Sequence, residues 1–303
     1  MKLSIIIVNY KTPQLLKNCL VKLISSLEFS KSFADSETYV IDNATDPKNI
    51  DPVKNIFPWI KIIYNKNNVG FAAANNQGIK LSRGKYILLL NTDTEIANNT
   101  IPKLLEILEK DPLAAVAGCK LINKDGTIQP SIGYFPNLIK VLLWMSFIDD
   151  IPFLTSLIKP YHVEDENYYK QIHEVDWVSG ACFMVTKKAI LEAGLLEDNI
   201  FMYGEEVEWC YRIKNKDFKV FYTPETSVLH LKGASGMGEI SGIADEFSGL
   251  LFFYKKHYSV WQGIALRILL ISGALLRMLI FGIITRNPAK VKLYAEAVKM
   301  VRR

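Results

Sequence analysis

The chain has 303 residues, half of them hydrophobic, which is enough to bury a substantial core and excludes an intrinsically disordered protein. Its net charge of +5 is unevenly distributed, because residues 255–303 contain ten Lys or Arg and a single acid, Glu296, whereas residues 1–254 contain 26 basic and 30 acidic side chains. The C-terminal basic residues alternate with long aliphatic runs rather than with stacking aromatic residues, which argues against nucleic-acid binding.

The four cysteines, Cys19, Cys119, Cys182 and Cys210, lie far apart and form no CxxC or Cys/His ligand spacing. The sequence therefore signals neither a zinc site nor a disulfide framework, and we expect a reducing, cytoplasmic location. The N-terminal apolar run contains one Lys, ends at Asn9 and is followed by no small-residue cleavage site, so it is interpreted as a strand rather than a secretion signal.

Predicted strands and helices alternate through the first 120 residues. Leu3 to Val8 is an apolar run interrupted only by Ser4, typical of a strand buried on both faces. Thr12 with Pro13 provides an N-cap and a first position for an amphipathic helix. Further strands are predicted at 38–41, 60–64, 85–90 and 113–118, and further helices in the later part of 68–82 and at 101–110. This alternation predicts an α/β fold with a mostly parallel central sheet flanked by helices. The segment Tyr134 to Glu174 is rich in loops.

Polar residues follow three of these strands, at the edge of the sheet where α/β proteins bind ligands. They are Asn9-Tyr10, Asp42-Asn43 and the pentapeptide Asn91 to Glu95. In this position the carboxylate of Asp42 can accept hydrogen bonds from a ribose or a base, although aspartate is also common in turns and helix caps. The residue type alone leaves both interpretations of Asp42 open.

The segment after the third predicted strand combines small residues with amides. Gly70 and three alanines allow the backbone to come close to a ligand, and Asn75 and Asn76 carry amides that can bond to it. The same small residues also serve to pack a helix against a sheet. The composition of Asn68 to Gly78 is compatible with either role.

The pentapeptide Asn91-Thr92-Asp93-Thr94-Glu95 directly follows the buried run YILLL. Mg²⁺ and Mn²⁺ prefer hard oxygen ligands and keep open positions for substrate phosphates, so one or two carboxylates at a strand end are sufficient to hold them. The alternative is a polar turn in which Thr94 or Asn91 caps the next helix. The position after a buried strand favours the metal site.

A second acidic group, in FMYGEEVEWCYR, places Glu205, Glu206 and Glu208 among aromatic residues. Crowding next to apolar side chains should desolvate at least one carboxylate and raise its affinity for a proton, as a general base requires. The alternative is a solvated helix start whose acids favour the helix dipole. Helical spacing allows Arg212 to pair with Glu208, which leaves Glu206 as the better base.

His230, in VLHLKGAS, follows another short apolar run. A lone histidine is more often a satisfied core or surface residue than a ligand. Its role therefore depends on the neighbours that the fold brings to it.

Seven segments occur in a fixed order along the chain: SIIIVNYKT, VIDNAT, NVGFAAANNQGI, LLLNTDTEI, DWVSGACFMV, FMYGEEVEWCYR and VLHLKGAS. Together they resemble bacterial family 2 glycosyltransferases of the GT-A fold, in particular the rhamnosyltransferase-like branch, over roughly residues 3–235. The resemblance implies inverting transfer of a sugar from a nucleotide diphosphate donor to an acceptor hydroxyl. It also implies a divalent cofactor, Mg²⁺ or Mn²⁺, and a dTDP- or UDP-sugar as donor.

The resemblance assigns roles to individual residues on the donor side. Asp42 is expected to hold the uracil or thymine nucleoside. Asn91-Thr92-Asp93 takes the place of the family's DxD motif, so Asp93 is expected to bind the metal and Asn91 to reach the sugar or phosphate. The expected donor-binding residues are Val8, Asn9, Tyr10, Asp42, Asn68, Gly70, Asn75, Asn91, Thr92 and Asp93.

On the metal and acceptor side, His230 matches a histidine that completes the metal site in some relatives. Trp177 and the Gly180-Ala181 backbone lie in the segment that shapes the sugar and acceptor pocket. Glu205-Glu206 stands where the family usually has Glu-Asp, so Glu206 is expected to be the catalytic base. Because its carboxylate lies one methylene further from the backbone than that of an aspartate, Glu205 remains the alternative base.

The C-terminal part contains a long apolar stretch, Trp261 to Ile284. Arg267 and Arg277 each disfavour a membrane span by roughly 2.5 to 3.5 kcal/mol at the bilayer centre. We therefore expect an interfacial helix on the inner face of the membrane, with each basic side chain gaining about 1 kcal/mol from anionic headgroups. The alternative is a pair of helices packed on the catalytic part or on a dimer partner. The expected headgroup contacts are Lys255, Lys256, Arg286, Lys290, Lys292, Arg302 and Arg303.

The sequence thus predicts a catalytic domain at 1–254, with donor binding in about 1–120 and the acceptor and catalytic part in about 121–254, and a basic helical membrane-associating region at 255–303. The predicted enzyme is a peripheral hexosyltransferase on the cytoplasmic face of the membrane. It adds rhamnose from dTDP-rhamnose to a lipid-linked or polyprenyl-linked acceptor of a growing surface glycan.

Other functions fit the same motifs less well. One alternative is transfer of another hexose or an N-acetylhexosamine from a UDP donor, and another is a non-catalytic nucleotide-sugar-binding scaffold subunit. A sugar-nucleotide pyrophosphorylase is disfavoured because VNYKTPQ lacks a Gly-rich, Arg-containing loop after the first strand.

Overall fold

The computed structural model describes residues 2–149, 151, 155–231, 233 and 238–302. Lys232, Ala234 and Ser235 of the VLHLKGAS motif and Arg303 of the expected headgroup contacts lie outside the described residues. The strands are β1 (Leu3–Asn9), β2 (Ser36–Asn43), β3 (Lys61–Asn65), β4 (Tyr86–Asn91), β5 (Thr94–Ile96), β6 (Ala114–Ile122), β7 (Ile128–Gln129), β8 (Ile132–Gly133), β9 (His173–Val175), β10 (Trp177–Val178), β11 (Cys182–Thr186) and β12 (Lys219–His230).

The helices alternate with the strands in the first half of the chain and close the chain at its C-terminal end. They are α1 (Pro13–Phe29), α2 (Pro47–Ile56), α3 (Phe71–Leu81), α4 (Thr100–Lys110), α5 (Leu138–Met145), α6 (Thr155–Ile158), α7 (Lys187–Ala193), α8 (Glu205–Lys214), α9 (Gly238–His257), α10 (Val260–Leu279) and α11 (Pro288–Val301). A π-helical turn, Ile280–Ile284, continues α10. The elements predicted in the first 120 residues are all present, and their ends differ from the predicted ones by a few residues.

The main sheet has the strand order β3-β2-β1-β4-β11-β6-β12-β5. The first four of these strands are parallel, and α1, α2 and α3 provide the crossovers that parallel strands require. β11 then runs antiparallel between β4 and β6, and β12 is parallel to β6 but antiparallel to β5. The predicted α/β architecture is confirmed, and the sheet is mixed because β11 returns through its middle.

The parallel register brings the carboxyl ends of β1, β2 and β4 together. Asn9, the last residue of β1, pairs with Asp42 of β2, and Val8 pairs with Asn91 of β4. The polar residues predicted to mark the sheet edge therefore lie on neighbouring strands. The β5–β12 pair also carries predicted site residues, because His230 lies opposite Thr94.

Successive residues of the central strands face two hydrophobic layers, as the pleat of a strand requires. Ile5 and Ile7 of β1 belong to one layer with Leu20 of α1, whereas Ile6 belongs to the other layer, which contains residues of α3. Helix α3 lies very close to β1, since a Cβ atom on Gly78 would be 2.6 Å from Cγ2 of Ile6. Gly78 therefore allows the helix to rest directly on the strand.

The C-terminal helices pack on the rest of the chain through α5. Leu266 and Leu270 of α10 belong to the same hydrophobic cluster as Trp144 and Met145 of α5. This contact agrees with the alternative in which the helices pack on the catalytic part. The division of the chain at residue 254 remains a prediction, and α9 runs through that position without interruption.

A buried arginine connects α10 to two other helices. Nε of Arg277 donates to the carbonyl of Met145 over 3.1 Å, Nη2 donates to the carbonyl of Trp144, and Nη1 donates to the hydroxyl of Tyr294 in α11 over 2.8 Å. Both carbonyls belong to the last turn of α5, and that of Trp144 also accepts from the N–H of Phe147 over 3.2 Å. The arginine also lies 4.0 Å from the centre of the Phe147 ring.

Replacing Arg277 by Leu should leave the carbonyls at the end of α5 without these donors. We expect the free energy of unfolding to fall by about 3 kcal/mol, the scale of breaking a buried network that contains a charge. Urea denaturation measures the loss. Arg267→Leu is the matched control, because Arg267 is exposed and donates to the carbonyl of Val301 near the end of the chain. Equal losses in the two variants would contradict the role given to Arg277.

Candidate active site

Asp42 and Asn9 lie together at the carboxyl ends of β2 and β1. Nδ2 of Asn9 donates to Oδ1 of Asp42 over 2.7 Å, and the backbone N–H of Thr45 donates to Oδ2 over 2.9 Å. Both side chains are buried, and the neighbouring Val8 and Tyr10 are half-buried. The Asp42 carboxylate is therefore held in one orientation at the sheet edge. This geometry is compatible with the predicted nucleoside contact and with a purely structural role.

Thr12 connects this corner to the pentapeptide after β4. Its hydroxyl donates to Oδ1 of Asn9 over 3.1 Å and lies 3.3 Å from the hydroxyl of Thr92. Thr12 is the N-cap residue of α1, as predicted, but its side chain makes no capping hydrogen bond to the helix. The hydroxyl is used at the sheet edge instead, because Asn9 and Thr92 offer partners there.

Gly70 joins the small-residue segment to the loop that precedes α8. Its N–H donates to Oδ1 of Asn68 over 3.0 Å. Gly70 has a φ of +87°, and a Cβ atom there would lie 2.8 Å from the carbonyl oxygen of Phe201. The same carbonyl accepts a hydrogen bond from the N–H of Phe71 over 2.9 Å. Glycine suits both the left-handed conformation and the close approach, so this segment fixes the loop at Phe201.

Asn75 and Asn76 are buried and bonded to the protein's own backbone. Nδ2 of Asn75 donates to the carbonyl of Phe71 over 3.0 Å. The Asn76 amide donates to the carbonyl of Leu196 over 2.8 Å and accepts from its N–H over 3.0 Å. These contacts favour the packing role that the sequence left open for this segment. A donor contact by Asn75 remains a prediction.

The pentapeptide after β4 forms a polar turn into β5. The hydroxyl of Thr94 donates to the carbonyl of Asn91 over 2.6 Å, and the N–H of Asn91 donates to the carbonyl of Ala181 over 3.0 Å. The next helix, α4, has Asn99 as its N-cap residue, so neither Thr94 nor Asn91 caps it. The turn places Asp93 between β4 and β5.

Asp93 and His230 approach each other beside the β5–β12 pair. Nε2 of His230 lies 3.4 Å from Oδ1 of Asp93, which is buried and has no hydrogen-bond partner in the part of the chain that the structure describes. The N–H of Leu231 donates to the carbonyl of Asp93 over 2.8 Å, which fixes the two backbones relative to each other. The fold thus places a buried carboxylate beside His230, which the sequence alone did not show.

The tautomer of His230 follows from its second nitrogen. Nδ1 lies 2.6 Å from Oε1 of Gln129, whose Nε2 donates to Oδ1 of Asn123 over 2.7 Å and to the carbonyl of His230 over 3.3 Å. Because the Gln129 amide nitrogen is already used as a donor, its oxygen is the acceptor, and we assign the proton of a neutral His230 to Nδ1. Nε2 then carries a lone pair directed at the Asp93 side, the arrangement found in metal-ligating histidines.

A carboxylate oxygen and an imidazole lone pair 3.4 Å apart repel each other unless a proton or a metal ion lies between them. Asp93 and His230 therefore fit a divalent metal ion. Among the described residues no group of three or more His, Cys, Asp or Glu side chains could hold a metal. An ion held by Asp93 and His230 would complete its coordination with oxygens from ligand phosphates and water, as Mg²⁺ commonly does.

The loop before α8 turns through two left-handed residues, Tyr203 with φ +67° and Gly204 with φ +92°. This turn lets the N–H of Gly204 donate to Oε2 of Glu206 over 3.2 Å. A non-glycine residue in this region is strained and persists only where surrounding contacts hold it. The strain at Tyr203 therefore marks a loop whose shape is imposed by its neighbours, such as Gly249 of α9, where a Cβ atom would collide with the carbonyl oxygen of Tyr203.

Glu205 and Glu206 differ in how their charge is supported. Burial raises the pKa of Glu205 well above its ordinary value, the charge of Glu206 adds to this effect, and Oε2 of Glu205 has no hydrogen-bond partner among the described residues. Burial also raises the pKa of Glu206, but the N–H groups of Gly204 and Gly180 oppose that rise by bonding to its charged form. Hydrogen bonds therefore support the charged form of Glu206 better than that of Glu205.

Glu208 has a different function from the two acids before it. Its predicted pair with Arg212 is present, with Nη2 of Arg212 2.8 Å from Oε2 of Glu208. Burial would raise the pKa of Glu208, but hydrogen bonds from Arg212, Lys256 and His257 hold it below its usual value. Since Lys256 and His257 belong to α9, Glu208 fastens α8 to α9.

Trp177, Gly180 and Ala181 lie on and after β10. Trp177 is 5% exposed, and its Nε1 has no hydrogen-bond partner in the described part of the chain. Gly180 supplies an N–H to Glu206, and the carbonyl of Ala181 accepts from the N–H of Asn91. The Gly180-Ala181 backbone therefore connects the candidate base with the candidate metal turn.

Tyr203 shows that the two acidic groups belong to one site. Burial raises the pKa of Tyr203, and the charges of Asp245, Glu205, Glu206 and Asp93 raise it further. Carboxylates from the pentapeptide and from α8 are thus both within electrostatic range of one phenol. The fold brings together residues that the sequence places more than a hundred positions apart.

His162 and Glu246 belong to none of the sequence motifs, yet the fold pairs them within electrostatic range of Glu206. Nε2 of His162 lies 2.6 Å from Oε1 of Glu246, and the His162 ring contacts Trp144 and Trp177 with centroid distances of 5.4 Å to each. After burial, the charge of Glu246 also contributes to the raised pKa of Glu206. No sequence motif indicates this pair, because His162 lies in the loop-rich segment and Glu246 lies in the middle of α9.

Comparison with known proteins identifies the family. A sequence profile described as glycosyl transferase family 2 matches residues 4–170, more than half of the chain. The chain belongs to glycosyl transferase family 2. This assignment agrees with the order of its motifs and with the acidic site at the sheet edge.

Three relatives of this glycosyltransferase come from different organisms. It is 25% identical over 248 residues to the low-salt glycan biosynthesis hexosyltransferase Agl10 of Haloferax volcanii, covering 75% of this chain and 66% of the relative. It is 24% identical to the N-acetylglucosaminyl-diphospho-decaprenol L-rhamnosyltransferase of Mycobacterium tuberculosis (70% and 72% covered). It is 28% identical to the dTDP-rhamnosyl transferase RfbF of Shigella flexneri (67% and 62% covered). The resemblance to the rhamnosyltransferase-like branch is confirmed, and the matched part spans about two thirds of these relatives.

The fold of the glycosyltransferase is found in a solved structure as well. A mannosyltransferase from Pyrobaculum calidifontis in complex with GDP-Man and Mn²⁺ superposes with a TM-score of 0.60 at 12% identity, covering 98% of this chain and 86% of that one. The predicted GT-A architecture is therefore confirmed, with a mixed central sheet flanked by helices and with helices at the C-terminal end.

If Asp93 and His230 hold a metal, Gln129→Leu should weaken Mn²⁺ binding to the glycosyltransferase by about tenfold or more, because the imidazole loses the partner that orients it. Asp93→Asn should weaken it further, since a charged ligand is lost. Electron paramagnetic resonance of free Mn²⁺, titrated with protein in the presence of dTDP or UDP, measures both effects. Gln171→Leu, at an exposed position, is the matched control. Unchanged Mn²⁺ affinity in both site variants would exclude this metal site.

Proposed function

We propose that this glycosyltransferase catalyses inverting, metal-dependent transfer of a hexose from a nucleoside diphosphate donor to an acceptor hydroxyl. The observation that carries the proposal is that Oδ1 of Asp93 lies 3.4 Å from Nε2 of His230, while Glu206, held by the N–H of Gly204, and Asp93 are both within electrostatic range of Tyr203. One site thus combines a pair of acceptor atoms suited to a cation with a carboxyl suited to proton transfer.

Glu206 is the proposed general base. Its raised pKa makes its ionised form a stronger base than an ordinary glutamate, and the N–H groups of Gly204 and Gly180 orient the carboxylate toward the acceptor side of the site. Removing the proton from the acceptor hydroxyl allows in-line attack on the anomeric carbon, whose transition state resembles an oxocarbenium ion. A single displacement inverts the configuration and needs no covalent nucleophile.

The donor side is assigned to the residues at the ends of β1, β2 and β4. Asp42, held by Asn9 and Thr45, is proposed to accept hydrogen bonds from the nucleoside. Asp93 and His230 are proposed to hold Mg²⁺ or Mn²⁺. Such an ion, when bound, neutralises the charge that develops on the departing diphosphate.

Rhamnose from dTDP-rhamnose is the proposed donor, and a lipid-linked glycan is the proposed acceptor. The support for both comes from the relatives, of which two are named as rhamnosyltransferases, one with a dTDP donor and one with a decaprenyl diphosphate acceptor. A UDP-hexose or UDP-N-acetylhexosamine is the alternative donor. A lipid-linked acceptor would place the enzyme at the cytoplasmic face of the cell membrane.

Glu206→Gln should reduce the turnover of sugar transfer by about a thousandfold, because general base catalysis typically contributes a hundredfold to ten-thousandfold. Donor affinity should stay within about twofold, since the change keeps the size of the side chain. In the unmodified enzyme kcat/KM should rise with pH through a pKa above that of an ordinary glutamate, because burial raises the pKa of Glu206 and the base acts only when ionised. Glu206→Gln should abolish this dependence.

Glu205→Gln is the matched control for this experiment. Because burial raises the pKa of Glu205 and so favours its neutral form, the neutral isostere should keep at least about a tenth of the activity. An inactive Glu205→Gln together with an active Glu206→Gln would transfer the role of base to Glu205. Full biological function in both variants would support the non-catalytic scaffold instead.

A screen of donor hydrolysis and transfer tests the choice of sugar. We expect dTDP-rhamnose to be used at least about tenfold faster than UDP-glucose, UDP-galactose or UDP-N-acetylglucosamine, since discrimination of a hydrogen-bonded group is typically large. Mass spectrometry of the product and NMR of its anomeric configuration give the readout. Preference for a UDP-sugar would overturn the donor assignment, and retention of configuration would overturn the single displacement.

A further inference from the structure

Helix α10 and the π turn after it expose an apolar ridge. Its side chains follow one another at intervals of three or four residues, with one interval of seven across the exposed Ser272, so all of them lie on one helix face. The members of the ridge are Trp261, Ile264, Ile268, Leu275, Leu279 and Ile283. Each is between 43% and 79% exposed, and the ridge runs for roughly 33 Å at 1.5 Å per residue. Large contiguous apolar surfaces of this kind are rare on soluble monomers and usually mark an interaction site.

The opposite face of α10 is bound to the protein. Leu266 and Leu270 are fully buried, and a Cβ atom on Gly273 would lie 2.6 Å from Cβ of Met145 in α5. Arg277 is buried on the same face and donates to the carbonyls of Trp144 and Met145. By length and composition alone the segment Val260–Ile284 could cross a membrane. If α10 crossed a bilayer, α5, which packs on it, would be drawn into the bilayer as well. These contacts therefore favour a helix that lies parallel to the membrane surface.

Positive charge collects at the C-terminal end of the ridge. Arg286, Lys290 and Lys292 are exposed and follow the π turn directly. Arg286 and Lys292 line an open cavity of about 390 Å³ together with Gly282, Pro288 and Val291. A small cavity with two cationic side chains beside an apolar ridge suits a phosphate group that is attached to acyl chains.

We propose that this ridge is a membrane-docking surface on which the enzyme rests with α10 parallel to an anionic phospholipid bilayer. The apolar side chains enter the region of the acyl chains, and Arg286, Lys290 and Lys292 bind lipid phosphates. The surface is thus complementary to a negatively charged membrane in both polarity and charge. Docking on the membrane does not depend on the proposed sugar transfer. The idea that docking serves a lipid-linked acceptor rests on the proposed function.

A second copy of the chain is a poorer occupant of the ridge. Residues 255–303 carry ten basic side chains and one acid, and that acid, Glu296, pairs with Lys299. A symmetric dimer through α10 would bring two such basic regions together, and like-charge contacts at an interface are unfavourable. Anionic headgroups relieve the same repulsion.

The inward face of α10 is connected by side-chain contacts to the region of the proposed base. Trp144 of α5 lies 5.5 Å from the guanidinium of Arg277 on one side and 5.4 Å from the ring of His162 on the other. His162 in turn bonds to Glu246, which acts on Glu206. Trp144, His162 and Glu246 thus form a chain of side chains between Arg277 of α10 and the proposed base.

Co-sedimentation of the full chain with vesicles tests the proposal. We expect binding to vesicles of phosphatidylcholine with about 30% phosphatidylglycerol to be at least tenfold tighter than to pure phosphatidylcholine, and to weaken in high salt. The double variant Ile268→Glu/Leu275→Glu should bind the anionic vesicles about a hundredfold more weakly, because it places charges in the apolar ridge. Arg286→Gln/Lys292→Gln should remove most of the preference for anionic lipid.

The matched control is Leu81→Glu/Leu191→Glu, which changes two exposed leucines on α3 and α7. It should bind vesicles as the unmodified enzyme does, and thermal unfolding of each variant verifies that its fold is intact. Light scattering without lipid measures the oligomeric state of the same proteins.

Failure of the unmodified enzyme to bind anionic vesicles, or equal binding by the ridge variant and the control, would overturn the proposal. A dimer that the ridge variant converts to a monomer, without vesicle binding, would identify the surface as a contact between two copies. Transfer to a short water-soluble acceptor should be the same in the ridge variant and the unmodified enzyme. Vesicle binding without any sugar transfer would refute the proposed function and leave the docking surface intact.

Discussion

The parallel register of β1, β2 and β4 is the constraint on which the site depends. It places Asn9, Asp42 and Asn91 at neighbouring strand ends. Polar groups can be buried there because they bond to one another, as Asn9 does to Asp42. Oδ1 of Asp93 and Oε2 of Glu205 are buried at the same site without such partners among the described residues. Unpaired buried acceptors reduce stability, and a folded protein keeps them where a ligand or a proton satisfies them.

The catalytic side of the site is assembled by contacts between distant segments. The loop before α8 is positioned by Gly70, whose lack of a side chain admits the carbonyl of Phe201. Its left-handed turn at Tyr203 and Gly204 then directs an N–H at Glu206. Glu208 fastens α8 to α9, so the helix that carries the proposed base is rigid at the point where the base must be oriented.

The packing of the C-terminal helices accommodates two arginines within an apolar stretch. An apolar stretch with two arginines is unfavourable both in water and in a bilayer, but here Arg277 enters the protein, where three hydrogen bonds compensate its burial, and Arg267 bonds the carbonyl of Val301. The inward face of α10 packs on α5 and its outward face remains apolar and exposed. The same helix therefore serves as part of the core and as an available surface.

The sequence by itself determined the α/β architecture, the strand ends that carry Asp42 and Asp93, and the family, because apolar periodicity and motif order are local properties of the chain. Only the tertiary structure decided that His230 lies beside Asp93, that Glu206 rather than Glu205 accepts a hydrogen bond from the loop before α8, and that His162 pairs with Glu246. In the folded protein the hydroxyl of Thr12 also bonds Asn9 instead of capping α1, and the amide of Asn76 bonds the backbone of Leu196. These features depend on burial and on contacts between residues far apart in the chain, which spacing along a sequence does not encode.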